Sequence, residues 1–368
     1  MTMRNKNSAL GRKKYLALAL PLLMAAQAQS VEFKMGGIET TLDSQFSIGS
    51  SWRAEDPDAF LSGVGLDGTG DDGDKNYDKG DAFSQIFKGS HDLQFTYQNF
   101  GAFVRGKYWY DSALANNAVN FGHTATADVA SPAAGNGLTY NANQTLDDSG
   151  FDDLSTAQGA TILDAFVYGE FEVGEMPLDV RLGKQVVSWG ESLLITGGVN
   201  AVNPVDLSAF RRPGAEIKEG LLPVGMAYAN LGITDNLSAE AFYQYEFQNT
   251  ITDPCGTFFS TSDIAADGCN AVTVFNGDYS ITKDQSFAEE AADDGQFGMA
   301  MRYFDEDSGT EFGVYAMNIH SRVPVYSVRA DVSSDYATLL GFAGQVHSSF
   351  GDALLDPANP ANAPANLA

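Results

Sequence analysis

The sequence predicts an all-β protein: an antiparallel transmembrane β-barrel of outer-membrane type with long extracellular loops. Three observations carry this expectation. The N-terminus reads as a secretory leader, the body alternates apolar and polar residues with period two, and short turns alternate with long polar connections.

The leader comes first. Arg4, Lys6, Arg12, Lys13 and Lys14 form a basic stretch without an acid, the apolar run Leu16 to Ala26 follows, and Ala26-Gln27-Ala28 supplies a small-residue cleavage site. The run is too short and wrongly flanked for a stable anchor, so residues 1–28 are expected to be a signal peptide cleaved after Ala28 rather than a buried helix. No later segment offers an apolar span of about 18 or more residues.

Without those five positive charges the chain carries 16 Lys and Arg against 48 Asp and Glu, a formal charge of −32. Such acidity argues against nucleic acid or an anionic membrane surface as partner, because both need a positive field. The two cysteines, Cys255 and Cys269, share one polar segment. In a secreted chain they read most simply as a disulfide closing a loop, with two free thiols or a partial metal site as the other readings.

The strands follow in order. Ile38, Thr40, Leu42, Ser44, Phe46 and Ile48 form one face opposite Glu39, Thr41, Asp43, Gln45 and Ser47. Leu93, Phe95 and Tyr97 alternate with Asp92, Gln94 and Thr96, and after Asn99-Phe100-Gly101 the chain returns with Val104, Tyr108 and Tyr110 against Arg105 and Lys107. A second hairpin joins residues 163–173 to 178–182 through Gly174-Glu175-Met176-Pro177. A third runs from Leu222 to Leu231, turns at Thr234-Asp235-Asn236 and returns from Leu237 to Phe247; a fourth joins Phe297 to Tyr303 with Phe312 to Ala316.

Strands of about 9 to 11 residues with one apolar face meet the needs of a tilted bilayer crossing. A soluble sandwich would alternate in the same way, and the connections break the tie. Segments 111–160 and 248–294 are long and polar, as extracellular barrel loops are, whereas unstructured loops of that length count against a compact soluble domain. Aromatics crowd near strand ends, at Trp52, Tyr97, Phe100, Tyr108, Trp109, Tyr110, Tyr243 and Tyr245, where an interfacial girdle would lie.

The polar faces then become lumen positions, with Arg105, Lys107, Arg181 and Lys184 confronting Asp164, Glu170, Glu172 and Asp179. Ladders of both signs can set a transverse field that filters solutes by charge. The plainer reading is that these groups satisfy one another inside a polar barrel.

Two sets of residues carry a family resemblance. One is DDGDKNYDKGD from Asp71 to Asp81 with YQNFGAFVRGKYWYD from Tyr97 to Asp111. The other is the unbroken run from Pro177 to Val224, followed by TDNLSAEAFYQYEF and the DPCGTFFSTSD cysteine loop. Together they resemble a proteobacterial outer-membrane family known as domain of unknown function 1302, over most of the mature chain. The resemblance implies a large barrel in the outer membrane, in contact with its lipid and lipopolysaccharide, that serves as a conduit for hydrophobic compounds or lipids. It also implies a periplasmic companion protein and an inner-membrane exporter of the resistance-nodulation-division type.

Within the shared run, residues 188–220 break the strand pattern with Trp189-Gly190-Glu191-Ser192, Asn203-Pro204-Val205-Asp206 and Arg211-Arg212-Pro213-Gly214. Irregular backbone at membrane depth is tolerated only where protein buries it or it lines a water-filled cavity. The segment is therefore an external loop or an inward-folded constriction. The second is preferred because Glu191, Arg211, Arg212, Glu216, Lys218 and Glu219 concentrate both signs of charge; a plug without selectivity is the competing reading.

Asp72, Asp74, Asn76 and Asp78 occupy positions one, three, five and seven of an EF-hand-like register. Tyr77 and Phe83 stand where that loop needs Gly and a bidentate Glu, so an EF-hand is excluded. A looser Ca²⁺ site is a weak alternative to a solvated Asp/Gly loop. No motif calls for a cofactor, and the expectation is a protein that is not an enzyme. The histidines His91, His123, His320 and His347 come without a G-x-S-x-G elbow, though a Ser/His pair could still assemble across strands. An outer-membrane hydrolase and a surface-recognition or structural barrel without transport are the alternatives to a conduit.

The barrel is assigned to residues 29–350 and a polar Pro/Ala/Asn tail to 351–368. About nine strands can be counted, an odd number that leaves an edge unpaired, and the chain ends on Ala368 rather than a terminal aromatic. The resulting expectation is the N-terminal part of a longer barrel.

Overall fold

The computed structural model describes residues 29–57, 72–120, 143–190, 198–261, 263, 266–269, 271–274, 279–282, 289–323 and 325. The expected signal peptide, the 351–368 tail, Glu191, His123 and His347 lie outside them. The chain divides into two units, Met1–Pro324 and Val325–Ala368, and every element below belongs to the first.

Twelve strands are present among the described residues: β1 (Gln29–Met35), β2 (Ile38–Trp52), β3 (Ala82–Tyr97), β4 (Phe100–Asp111), β5 (Gln158–Val173), β6 (Met176–Gln185), β7 (Val224–Thr234), β8 (Leu237–Gln244), β9 (Ala271–Val274), β10 (Tyr279–Thr282), β11 (Gln296–Asp305) and β12 (Thr310–Asn318). Ten form one antiparallel sheet in the order β1-β2-β3-β4-β5-β6-β7-β8-β11-β12, and β9 and β10 pair as a separate hairpin. Among the described residues no pairing joins β1 to β12. Each strand therefore lies beside its neighbour in sequence, apart from the β9–β10 excursion. The hairpin turns at 36–37, 98–99, 174–175, 235–236 and 306–309 fall at one end of the sheet and the long connections at the other.

The count of about nine strands is corrected to ten in this sheet. The additional strand is β1, whose Val31, Phe33 and Met35 alternate beside Leu42, Thr40 and Ile38 of β2. Its seven residues follow directly on the leader, so the period-two signal has little length in which to show. The hairpin β9–β10 likewise falls inside a segment that reads in the sequence as one long loop.

Burial on the two faces is opposite to that of a soluble sheet. One face, here called bare, presents Phe46, Ile48, Phe87, Val167, Leu182, Met299, Met301 and Val314, all at least 40 % exposed. Register makes this continuous: Ile48 pairs with Phe87, which pairs with Tyr110. Polar side chains are buried on the other face, among them Lys88, Ser90, Lys107, Asp164, Gln185, Glu240, Gln244 and Gln296.

That face is covered by the β6–β7 connection. It contains a 3-10 turn (Val199–Val202) and the short helices α3 (Leu207–Arg211) and α4 (Ile217–Gly220); α1 (Asp72–Asn76) and α2 (Ser112–Asn116) lie in earlier connections. Asp206 opens α3 by accepting the Ala209 N–H at 2.9 Å, which satisfies a donor that a helix start leaves orphaned, and it also accepts the Ser208 hydroxyl at 2.7 Å. Glu216 and Glu219 form a reciprocal capping box around α4. Pro213 rests directly on β2 at Gly49, where a Cβ would meet the Pro213 Cβ at 2.4 Å, so only glycine admits this approach. The largest apolar cluster lies between connection and sheet: Val187, Trp189, Val202, Val224, Met226, Phe242 and Ala300.

Candidate functional site

The covered face holds a row of fixed charges. On β4, Arg105 grips Asp92 with two bonds, Nε to Oδ1 at 2.7 Å and Nη2 to Oδ2 at 2.8 Å, and reaches Asp164 at 3.2 Å. Asp164 turns to this face because β5 bulges there. Pairing runs from Gly106–Ile162 to Val104–Ala165, leaving Leu163 and Asp164 together opposite Arg105. Two residues along β4, Lys107 donates to the Glu219 carbonyl at 3.2 Å and pairs with Asp206 at 3.4 Å. Lys88 of β3 pairs with the Glu219 carboxylate and donates to the Gly214 carbonyl at 2.7 Å.

These bonds fasten the β6–β7 connection across β2, β3 and β4. Gln45 of β2 donates to Glu216 and accepts from Lys218 at 3.2 Å, while Glu216 and Lys218 pair with each other at 3.2 Å. Arg212 donates to the Leu154 carbonyl at 2.9 Å and lies 4.7 Å over the Trp109 ring, which also faces Lys107 at 5.5 Å. Arg211 points elsewhere, to Asp253 at 2.8 Å and the Phe259 carbonyl at 2.9 Å. Burial pushes the Asp253 carboxyl up to about 6, against the pull of Arg211 and with the help of Asp206.

The remaining residues singled out from the sequence are placed apart from this row. Arg181 of β6 lies between the rings of Phe166 and Tyr228, 5.8 and 5.4 Å from their centres. Glu170 is exposed and opposes Asp179 across the β5–β6 ladder near the short-turn end. Lys184 pairs with Glu246 at 3.2 Å. His91 shares a 2.8 Å bond with Ser44 and stacks on Tyr108, and His320 bonds the Asp294 carbonyl at 3.2 Å.

Of the four positions in the calcium register, Asp72 lies in α1. Asp74 pairs with Arg53 at 2.6 Å, Asn76 donates to the Gly256 carbonyl at 2.9 Å, and Asp78 accepts from Asn120 at 2.7 Å. Their oxygens and amides tie connections together. Cys255 and Cys269 form a disulfide with a Cα separation of 5.2 Å. Among the described residues they and Asp263 make the one group of three metal-ligand types within 4.8 Å, and both sulfurs are committed to each other. Within the disulfide loop, Phe258 stacks on Phe83 with centroids 3.9 Å apart.

Several residues in this site escaped the sequence reading. Glu240 accepts from Trp189 at 2.9 Å and from Tyr228 at 2.8 Å, and pairs with Arg302. Asn203 accepts the Val187 N–H and donates to the Leu222 carbonyl, each at 2.9 Å. Arg322 donates to the Val202 carbonyl at 3.1 Å and to Gln244, and burial lowers its guanidinium to about 10. The period-two pattern marks Glu240 and Gln244 as polar-face residues; nothing in it signals their partners.

A ten-stranded antiparallel sheet, apolar on its bare face and charged where a long connection covers it, defines a mostly-β protein of inverted amphipathicity. No helix among the described residues is long and apolar enough to cross a membrane. The chain belongs to the family described as protein of unknown function DUF1302, whose model matches residues 12–366. No curated protein and no solved structure matches it.

Proposed function

We propose that the sheet is the wall of an outer-membrane β-barrel, exported with a leader over residues 1–28, and that it serves as a conduit for hydrophobic compounds or lipids. The observation that carries this reading is the inverted burial: large apolar side chains exposed on one face, and Lys88, Lys107, Asp164 and Glu240 buried on the other. Large apolar side chains set side by side on an uncovered sheet face are disfavoured in water, whereas hydrocarbon is their natural solvent. The segregation of short turns and long connections to opposite ends of the sheet supports the same orientation.

In this reading the covered face lines the interior, and residues 198–220 are its constriction. Charges of both signs held at fixed positions, Arg105 and Lys107 against Asp92, Asp164 and Asp206, would screen what passes by charge as well as size. A periplasmic companion and an inner-membrane exporter would deliver or remove the cargo. A second reading, a surface-recognition barrel, draws on the disulfide and the aromatic packing of Phe83, Phe258 and Phe259, which give the long connections a built surface. Single-channel recording in planar bilayers separates the two: a conduit gives discrete conductance steps, and a silent inserted protein favours recognition.

A further inference from the structure

We propose a lateral opening in the sheet, between the upper part of β5 and the ends of β6 and β7, that passes a single-chain amphiphile between the interior and the membrane interface. It rests on the conduit reading above and names the route and the class of molecule.

The opening follows from register. Strand β5 pairs with β4 as far as Tyr110–Gln158, but with β6 only as far as Ala165–Lys184. Among the described residues, 158–164 therefore have a strand on one side and none on the other. Among the described residues no backbone hydrogen bond takes the place of the missing ladder. The chain that would have continued it leaves the sheet after Gln185 and buries Val187 and Trp189 against the covered face. Its return is no help: Leu222 donates to the Pro204 carbonyl within the connection, and Pro223, without an N–H, cannot extend β7 as a ladder donor.

An unpaired strand edge facing hydrocarbon costs several kcal/mol per backbone group, and is tolerated where it lines a water-filled cavity. A cavity of about 260 Å³ lies here, bounded by Thr161, Leu163, Lys184, Leu222 and Pro223. The volume falls below the roughly 300–1,000 Å³ that encloses a drug-sized ligand. Its lining is divided, with Ile162, Leu154 and Leu222 apolar and Asp152, Asp153 and Gln248 polar.

The bulge in β5 connects the two faces at this point. Ile162 is 59 % exposed on the bare face, while Leu163 and Asp164, the next two residues, are buried on the covered face. The level is also defined. Below the opening, Ala165, Lys184, Gly225 and Tyr245 lie in one cross-strand row; above it, Gln158 pairs with Tyr110. Tyr110 and Tyr245 are exposed tyrosines of the kind that mark a membrane interface, and the Lys184–Glu246 pair sits on the lower rim. An opening at that level meets the head of an amphiphile with polar groups and its chain with Ile162, beside the buried cluster of Leu163, Leu222 and Ile251.

The test uses the protein reconstituted in liposomes whose inner leaflet alone carries a fluorescent lysophosphatidylethanolamine, with external albumin extracting the probe as it emerges. Wild type should release the probe. Ile162→Trp on the bare face, and independently Gln248→Trp on the irregular connection bordering the cavity, should slow release by about tenfold while ion conductance stays near wild type, because each fills the side opening rather than the row of charges on β4. Val167→Trp, on the bare face elsewhere, should leave release unchanged. A conducting protein that does not release the probe would overturn the lateral opening alone, as would conducting Ile162→Trp and Gln248→Trp variants that release it at the wild-type rate. A protein that neither conducts nor releases probe would overturn the conduit and the opening with it.

Discussion

Arg105 is the residue on which the covered face depends most. Its guanidinium is the shared partner of Asp92 and Asp164, and all three side chains are less than a fifth exposed. Removing one member of a buried charge cluster leaves the others uncompensated, at a cost of about 3 kcal/mol or more. Arg105→Ala should therefore lower the urea midpoint of the detergent-solubilised protein and shift reversal potentials toward cation preference. Arg105→Lys should recover only part, since an ammonium cannot reproduce the two-bond grip on Asp92. Asp253 gives a pH signature. Its pKa of about 6 lies above the ordinary value, so the folded state holds a proton that the unfolded chain has released. That contribution is complete below about pH 4 and is lost as pH rises through about 6. Compared with Asp253→Asn, wild type should lose stability between about pH 4.5 and 7, read as a urea-midpoint difference between the two; a constant difference across this range would refute it. These partnerships are hidden in the sequence. Lys88 and Glu219 stand 131 positions apart, and Arg322 and Val202 120, so only the register of the sheet brings them together.

At the scale of elements, the alternating strands are legible in the sequence and the connections are not. The hairpins β3–β4, β5–β6, β7–β8 and β11–β12 follow from period two and turn chemistry, since a one-residue slip would exchange the bare and covered faces. The β6–β7 connection can be recognised only as a break in that pattern. Its fastening to Gln45, Lys88 and Lys107 depends on side chains from three other strands. If this connection constricts an interior, replacing Arg211 and Arg212 together with Ala should change single-channel conductance. The two reach opposite neighbours, Asp253 and Trp109, and both anchors are lost at once. Unchanged conductance would remove the constriction. The disulfide makes a separate prediction. Cys255→Ser with Cys269→Ser opens a loop of about 15 residues, costing about 3 kcal/mol locally. Hydrogen exchange should quicken in α1, which Asn76 ties to Gly256, while β2 and β3 remain protected.

At the scale of the whole molecule, the bare face decides what the protein is. Phe46, Phe87, Val167, Leu182 and Met299 stand in the sequence as one side of an alternating pattern, and the pattern alone does not say whether a second layer or lipid meets them. The covered face resolves half of that ambiguity, because the connection between β6 and β7 lies on the polar side and leaves the apolar side open. Spin labels in the liposome-reconstituted protein test the rest directly. Labels at Val167, Leu182 and Met299 should be accessible to oxygen and shielded from a water-soluble nickel chelate, while the neighbouring polar-face site Gln94 shows the reverse. Nickel access at the three apolar positions equal to that at Gln94 would contradict a lipid-facing wall.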